Sequence, residues 1–243
     1  MDCIIRSLSE PAEIPAGLED AAPEEVLAWA VDSFNEGVSL ACSFGAEDVV
    51  LLDMLSRIAQ RPRAFVLDTG RLHPQTYDVM ERCRERYGIE FDVFVPDSVA
   101  LQDLLREKGP LSFYESIENR KECCGIRKVE PLDRALADRR AWITGQRREQ
   151  AVTRRYLPVF EQDHAHGGIL KINPLARWTD AQLWDYIRSR AVPYNKLHDQ
   201  GFPSIGCAPC TRAVAQGEDV RSGRWWWESP EHKECGLHSR TQA

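Results

Sequence analysis

No stretch of the chain approaches the ~18 consecutive apolar residues of a membrane-spanning helix, so none is expected. Residues 1–13 are mixed and acidic, without the basic start and apolar run of a secretory signal. An excess of positive charge is also missing. The 31 basic residues face 38 acidic ones, and a net charge of −7 argues against a broad nucleic-acid surface held by many phosphate contacts. Internal repeats and low-complexity linkers are absent. Neither Gly-x-Gly-x-x-Gly nor Gly-x-x-x-x-Gly-Lys-Ser/Thr occurs, which weighs against dinucleotide and Walker-type sites. What is present is ordinary globular composition: 43% hydrophobic and 28% charged residues exclude a disordered chain. The expectation is a soluble, cytoplasmic protein of one domain, residues 1–243.

Hydrophobic patterning predicts helices over 23–34, 46–60, 73–87, 98–108 and 179–190, with Thr179 as N-cap of the last. Short apolar runs rich in β-formers predict strands over 38–42, 64–68, 90–95, 141–144 and 169–172. The alternation indicates βαβ units, hence an α/β fold with a doubly wound, mostly parallel sheet. From residue 192 onward Gly, Pro and Cys dominate, which predicts an irregular C-terminal extension.

Ligands of open α/β sheets sit outside the carboxyl ends of the strands. Three such ends carry related chemistry. Ser43, Phe44, Gly45 and Asp48 offer backbone N–H groups, a hydroxyl and a helix start, suited to an anion. Leu67, Asp68, Thr69, Gly70 and Arg71 place a carboxylate, a hydroxyl and a guanidinium at the next end. Thr144, Gly145 and Gln146 lead into Arg147 and Arg148 at the third. Any one alone reads equally well as a capped turn; three together favour a nucleotide-sized ligand. Arg139, Arg140, Arg147, Arg148, Arg154 and Arg155 form a local basic run, which suggests bidentate phosphate or sulfate recognition by some of them.

The eight cysteines belong to a chain too long and too core-rich to need a disulfide framework. Cys123-Cys124 and Cys207-Ala208-Pro209-Cys210 together suit zinc or an iron–sulfur cluster. Adjacent cysteines fit a zinc knuckle poorly and reach two irons of a cubane more easily. A vicinal disulfide and a thioredoxin-like couple remain open alternatives. Cys235 stands apart beside His238, with Arg221, Arg224 and Lys233 before it, cations that favour the reactive thiolate. Cys3, Cys42 and Cys83 read as packing thiols. Trp225-Trp226-Trp227 reads as core or interface packing.

These segments resemble the assimilatory sulfonucleotide reductases (the phosphoadenylyl-sulfate/adenylyl-sulfate reductase family), in particular their thioredoxin-dependent adenylyl-sulfate branch. The resemblance rests on CSFGAEDVV (42–50), LDTGRLHPQTY (67–77), KECCGIRKVEPL (121–132), WITGQRREQ (142–150), GCAPCTR (206–212), GRWWWE (223–228) and ECGLH (234–238), in the family's order. It implies a fold of the adenine nucleotide α-hydrolase (PP-loop) type. The ATP-using members' Ser-Gly-Gly-x-Asp-Ser is replaced here by Ser43-Phe44-Gly45-Ala46-Glu47-Asp48, which suits a nucleotide bound without pyrophosphate release.

The resemblance further implies a [4Fe–4S] cluster on Cys123, Cys124, Cys207 and Cys210. Adenosine would lie near Ser43, Gly45, Asp48, Leu67 and Gly145, with Asp68, Thr69, Gly70 and Arg71 on the same substrate wall. Arg155, Arg221, Arg224 and His238 would lie on phosphate and sulfate, and Lys128 between cluster and substrate. Cys235, on a mobile tail over about 225–243, would attack adenylyl sulfate and then be discharged by thioredoxin or a glutaredoxin-like protein. The cluster cysteines favour adenylyl sulfate over its 3′-phosphorylated form. A dual-specific reductase, an ATP-dependent PP-loop ligase and an iron–sulfur redox sensor are the competing readings. Oligomeric state, a homo-oligomer included, is left open by the sequence.

Overall fold

The computed structural model describes residues 13–151, 154–215 and 217–229. Helix α1 (Pro23–Phe34) begins with Pro at its first turn, followed by Glu24 and Glu25 where the helix dipole favours acids. Its buried face is Val26, Leu27, Ala30 and Phe34. Strand β1 (Val38–Ala41) leads into α2 (Ala46–Ile58), and β2 (Ala64–Leu67) into α3 (Pro74–Tyr87). Then follow β3 (Phe91–Phe94) and α4 (Ser98–Lys108), whose N-cap Asp97 accepts the Ala100 N–H.

The next segment contains α5 (Ile117–Cys124), a π-helical turn at Gly125–Val129, and α6 (Glu130–Leu136). Strands β4 (Ala141–Ile143), β5 (Phe160–Asp163) and β6 (Ile169–Ile172) complete the sheet before α7 (Asp180–Ser189). Thr179 caps α7 as expected: its hydroxyl accepts from Gln182 N while the Gln182 side chain returns to the Thr179 N–H.

The six strands lie in the order β3-β2-β1-β4-β6-β5. All neighbours are parallel except β5, which pairs antiparallel with β6 at the edge. Strand order reverses between β1 and β4, so the connections leaving their carboxyl ends part and leave a crevice there. The main core packs α1, α2 and α7 against the sheet, with Leu40, Leu52, Ile143, Ile172, Leu183 and Ile187 all deeply buried. Asp53 of α2 ties three helices together by accepting from Tyr87 and Tyr186 hydroxyls at 3.0 and 2.8 Å.

The doubly wound, mostly parallel architecture matches the expectation, and the predicted elements recur with their ends trimmed by at most two residues. The structure adds β5, α5 and α6, which apolar periodicity did not reveal. Beyond α7 the described chain holds only short turns, as expected. Asn195 pins this extension by donating to Thr76 Oγ1 at 3.1 Å, and Ala208 N donates to Arg71 O at 2.8 Å. No described helix is long and apolar enough to cross a membrane.

Candidate active site

The crevice at the switch point is a cavity of about 1210 Å³. Ser43, Gly45, Asp48, Leu67, Thr69, Lys128, Gly145, Arg221 and Arg224 line it, so nine of the residues singled out from sequence meet in one place. Phe44 holds the first loop in shape. Its backbone is left-handed (φ 60), uncommon for a bulky residue, and its ring is buried edge-on to Phe91 with centroids 5.3 Å apart.

Asp48 closes this loop from the first turn of α2. Its Oδ2 accepts Ser43 N–H at 2.7 Å and Ser43 Oγ–H at 2.8 Å. Burial pushes the Asp48 carboxyl up to about 6, against the opposing pull of the two Ser43 hydrogen bonds. Ser43's donors are thus spent on Asp48, and Glu47 beside it is held by Arg147 Nε at 2.8 Å. The loop therefore offers an anion less than the sequence suggested. Gly145 faces it across the crevice: a Cβ there would meet Asp48 Oδ1 and lie 2.7 Å from Glu47 Cβ. Only glycine lets the β4 end approach so closely.

The cations gather elsewhere. Lys128, Arg154, Arg221 and Arg224 line the crevice. Arg224 is 8% exposed and lies flat on the bare backbone of Gly206, where a Cβ would come within 2.5 Å of its Cζ. Its Cζ also lies over the Trp225 ring, 4.8 Å from the centroid. Arg155, expected at the anion, is instead exposed over the Tyr156 ring and does not line the cavity; Arg154 does. The rest of the basic run is structural. Arg139 reaches Glu36 O and Asp92, Arg140 covers Phe34, and Arg148 donates to Leu157 O. Arg147 binds Glu47 and Asp180.

Asp68, Gly70 and Arg71 shape the β2 end without lining the crevice. Asp68 Oδ1 accepts the Gly70 N–H and the Tyr77 hydroxyl, each at 2.8 Å, and Gly70 takes the left-handed turn (φ 67). Arg71 points instead toward the thiols, stacked over Phe113 at 4.7 Å.

Cys123, Cys124, Cys207 and Cys210, brought from two distant segments, line one small cavity of about 20 Å³ together with Arg71, Arg120, Arg127 and Lys128. Lys128 belongs to both cavities. Among the described residues no three His, Cys, Asp or Glu side chains form a group that could clasp a single ion. The thiols share walls rather than a point, yet four thiols with basic neighbours are the donor chemistry that a cluster requires.

Burial pushes Cys210 up to about 12, with Cys207 and Cys124 adding to it. Burial and Cys207 likewise raise Cys123, against Arg127 and Arg71. At Cys207 burial is outweighed by Lys128, the Thr69 hydroxyl 3.3 Å away, Arg224 and Arg127, so its thiol lies below the ordinary value.

Arg120 and Arg127 were not singled out from sequence. With Cys123, Cys124 and Lys128 they follow the spacing i, i+3, i+4, i+7, i+8, one helical face, and that pattern was the signal available. Cys42 and Cys83 are buried thiols whose ionisation burial suppresses, in keeping with packing. Trp225 is buried, Trp226 half exposed, and Trp227 meets Tyr114 edge-on with ring centroids 4.4 Å apart. Cys3, Lys233, Cys235 and His238 lie outside the described residues.

A doubly wound sheet with a nucleotide-sized crevice at its switch point, basic where it meets a four-thiol chamber, defines a nucleotide-binding protein equipped for sulfur chemistry. The chain belongs to the phosphoadenosine phosphosulfate reductase domain family, which it matches over residues 37–213. An adenosine 5′-phosphosulfate reductase of Burkholderia cepacia is 54% identical over 85% of this chain and 82% of its own. One from Pseudomonas aeruginosa (strain LESB58) is 48% identical over 96% of this chain and 89% of its own. Among solved structures, a phosphoadenylyl-sulfate reductase of Candida auris in complex with phosphate superposes with a TM-score of 0.68 at 33% identity, covering 84% of this chain and all of that one.

Proposed function

We propose that this protein reduces adenylyl sulfate (adenosine 5′-phosphosulfate) to sulfite and AMP in assimilatory sulfate reduction, in the cytoplasm, with reduced thioredoxin or a similar dithiol protein as reductant. The observation that carries the reading is the crevice between β1 and β4, whose basic end adjoins the four-thiol cavity through Lys128. Adenosine would lie against Ser43, Leu67 and Gly145, and the phosphosulfate toward Lys128, Arg154, Arg221 and Arg224. These cations offset the charge of an anion attacking an anion.

In the first step the Cys235 thiolate forms a bond to the sulfate sulfur, the S–O bond to the phosphate breaks, and AMP leaves with that electron pair. The product is an S-sulfocysteine. His238 and the arginines hold the terminal oxygens. In the second step one thiol of the reductant attacks Cys235 Sγ and displaces sulfite; its second thiol closes the disulfide and frees the enzyme. Splitting the reduction in this way divides one hard displacement into two.

Cys123, Cys124, Cys207 and Cys210 would hold a [4Fe–4S] cluster, which would supply charge and rigidity beside the sulfate rather than electrons. The four thiols line one cavity without converging on a point, an arrangement that suits a multi-iron group better than a single tetrahedral zinc.

The test is to mix anaerobically purified protein with adenylyl sulfate without reductant and to map the adduct by mass spectrometry. One SO₃ on Cys235, with AMP released and sulfite discharged by thioredoxin, is the expected result. No adduct from protein with its iron intact would remove the mechanism. Equal rates with the 3′-phosphorylated nucleotide would replace the specificity.

A further inference from the structure

The chain that carries Cys235 leaves the described structure through Glu228 and Ser229. Glu228 is not a surface acid. Its carboxylate is 4% exposed and receives Arg120 Nε at 2.9 Å and Nη2 at 2.8 Å, a bidentate pair closed across 108 residues. The Arg120 side chain is 1% exposed and its guanidinium lies 4.8 Å from the Trp225 ring centroid. Arg120 also hydrogen-bonds Cys124. One buried guanidinium therefore joins a wall of the four-cysteine cavity to the root of the segment that carries the nucleophile.

A buried ion pair is a weak source of stability, because desolvation consumes most of its attraction; its better-attested use is to specify one arrangement. The bidentate fork adds direction, since both oxygens must face both nitrogens. Trp225 and the Glu228 N–H, which donates to Trp225 O at 2.8 Å, complete a rigid turn at this point. Cys235 follows seven residues later, a reach of at most about 25 Å. Where the root sits and how it is aimed thus decides which part of the crevice the thiol can enter.

We propose that Glu228 is a positioning residue: its lock on Arg120 fixes the root of the Cys235 segment against the four-cysteine cavity and thereby governs how the nucleophile is presented. This rests on Cys235 being the nucleophile.

The test uses the full chain, purified anaerobically, with Glu228→Gln and Glu228→Asp. Iron content, AMP affinity, single-turnover S-sulfonation and hydrogen exchange over residues 225–243 are measured on each. For Glu228→Gln, iron and AMP affinity stay at the parent's level. S-sulfonation slows by about 10²-fold, the scale of a nucleophile displaced by about an ångström, and exchange at 225–229 accelerates. Glu228→Asp, which keeps the charge, recovers part of the rate.

A rate within about twofold of the parent's overturns the proposal, as does a rate loss matched by equal loss of AMP affinity or of iron. If the parent itself forms no adduct, the Cys235 reading falls instead. Exchange then still decides the lock: unaltered protection at 225–229 in both variants overturns it.

Discussion

Replacing Gly145 by alanine tests the crevice with the smallest perturbation available. The new Cβ would lie 2.7 Å from Glu47 Cβ and closer still to Asp48 Oδ1, where carbon atoms normally rest about 3.5–4.0 Å apart. Neither neighbour is loose. Asp48 is held by two Ser43 hydrogen bonds of 2.7 and 2.8 Å, and Glu47 by Arg147 at 2.8 Å. Relief must come from the backbone, by pushing the β4 end away from the start of α2, or from breaking the Asp48 contacts. Overpacking of this kind costs about 1–3 kcal/mol, and hydrogen bonds to a charged acceptor are worth about 1.5–3 kcal/mol each.

Either route deforms the walls between which the proposed function puts the adenosine. AMP is expected to bind about 10–100-fold more weakly, which is about 1.4–2.8 kcal/mol, and the urea midpoint is expected to fall. Gly125→Ala is the control. That glycine is helical, and a Cβ there meets nothing within 4 Å, so its midpoint should hold or rise. Calorimetric titration with AMP alongside urea denaturation reads both effects. A Gly145→Ala protein that binds AMP and unfolds like the parent would falsify the close approach of the β4 end to the start of α2 as the determinant of the site.

The remaining predictions concern charge and metal. Burial holds the Asp48 carboxyl near 6 instead of 3.8, so the stability it contributes is fully present below about pH 4 and lost as pH rises through about 6. Asp48→Asn does not titrate, and its stability relative to the parent should gain about 2 kcal/mol between pH 4 and 7; a constant difference in urea midpoints across that range counts against this. Arg147→Met leaves the half-buried Glu47 carboxylate without its partner and should cost about 3 kcal/mol, whereas a change under about 1 kcal/mol contradicts the pairing. Cys210→Ser should abolish bound iron and its visible absorbance while Cys42→Ser retains both; retained iron in the first removes Cys210 from the ligand set. Arg154→Ala should raise KM for adenylyl sulfate about tenfold or more, the scale of a lost charged hydrogen bond, and Arg155→Ala should leave it near the parent's; the reverse order would restore Arg155 to the anion.

The sheet was legible in sequence because its strands are short apolar runs between helices with ordinary amphipathic stripes, and burial rewards both patterns. Helix α5 escaped for the opposite reason. Its sequence Ile117–Cys124 turns an arginine and two cysteines, Arg120, Cys123 and Cys124, toward the cavity rather than a stripe of leucines, so a search for hydrophobic periodicity passes over it. Strand β5 is a polar edge, Phe-Glu-Gln-Asp, and nothing in its residues distinguishes it from a loop until β6 pairs with it. The three strand-end turns were visible because their residue types are those of ligand loops, but which side chains face the crevice was not. Asp68 and Arg71 alternate away from it, and Arg155 is displaced by its neighbour Arg154. One residue of register in an irregular loop settles that, and loop register has no sequence period to read.

The placement of Lys128 and Arg127 shows why the thiol chamber sits where it does. Lys128 lines both cavities, and Arg127 Nη1 donates to Thr69 O at 2.5 Å at the end of β2. Thr69 in turn contacts Cys207 through its hydroxyl, and the Cys207 loop is anchored on Arg71 O. Both cysteine-bearing segments are therefore fastened to the same strand end that forms a wall of the nucleotide crevice. A displacement of either pair moves Thr69, and with it a wall of the crevice. The helical face that presents Cys123 and Cys124 also presents Arg127 and Lys128 one turn later, so the thiols cannot be rearranged without moving the cations. That mechanical link requires no electron to pass between the chambers: on the proposed reading, a group held by the four thiols would bear on the geometry and local charge at the anion through Thr69 and Lys128, with the redox chemistry left to another thiol.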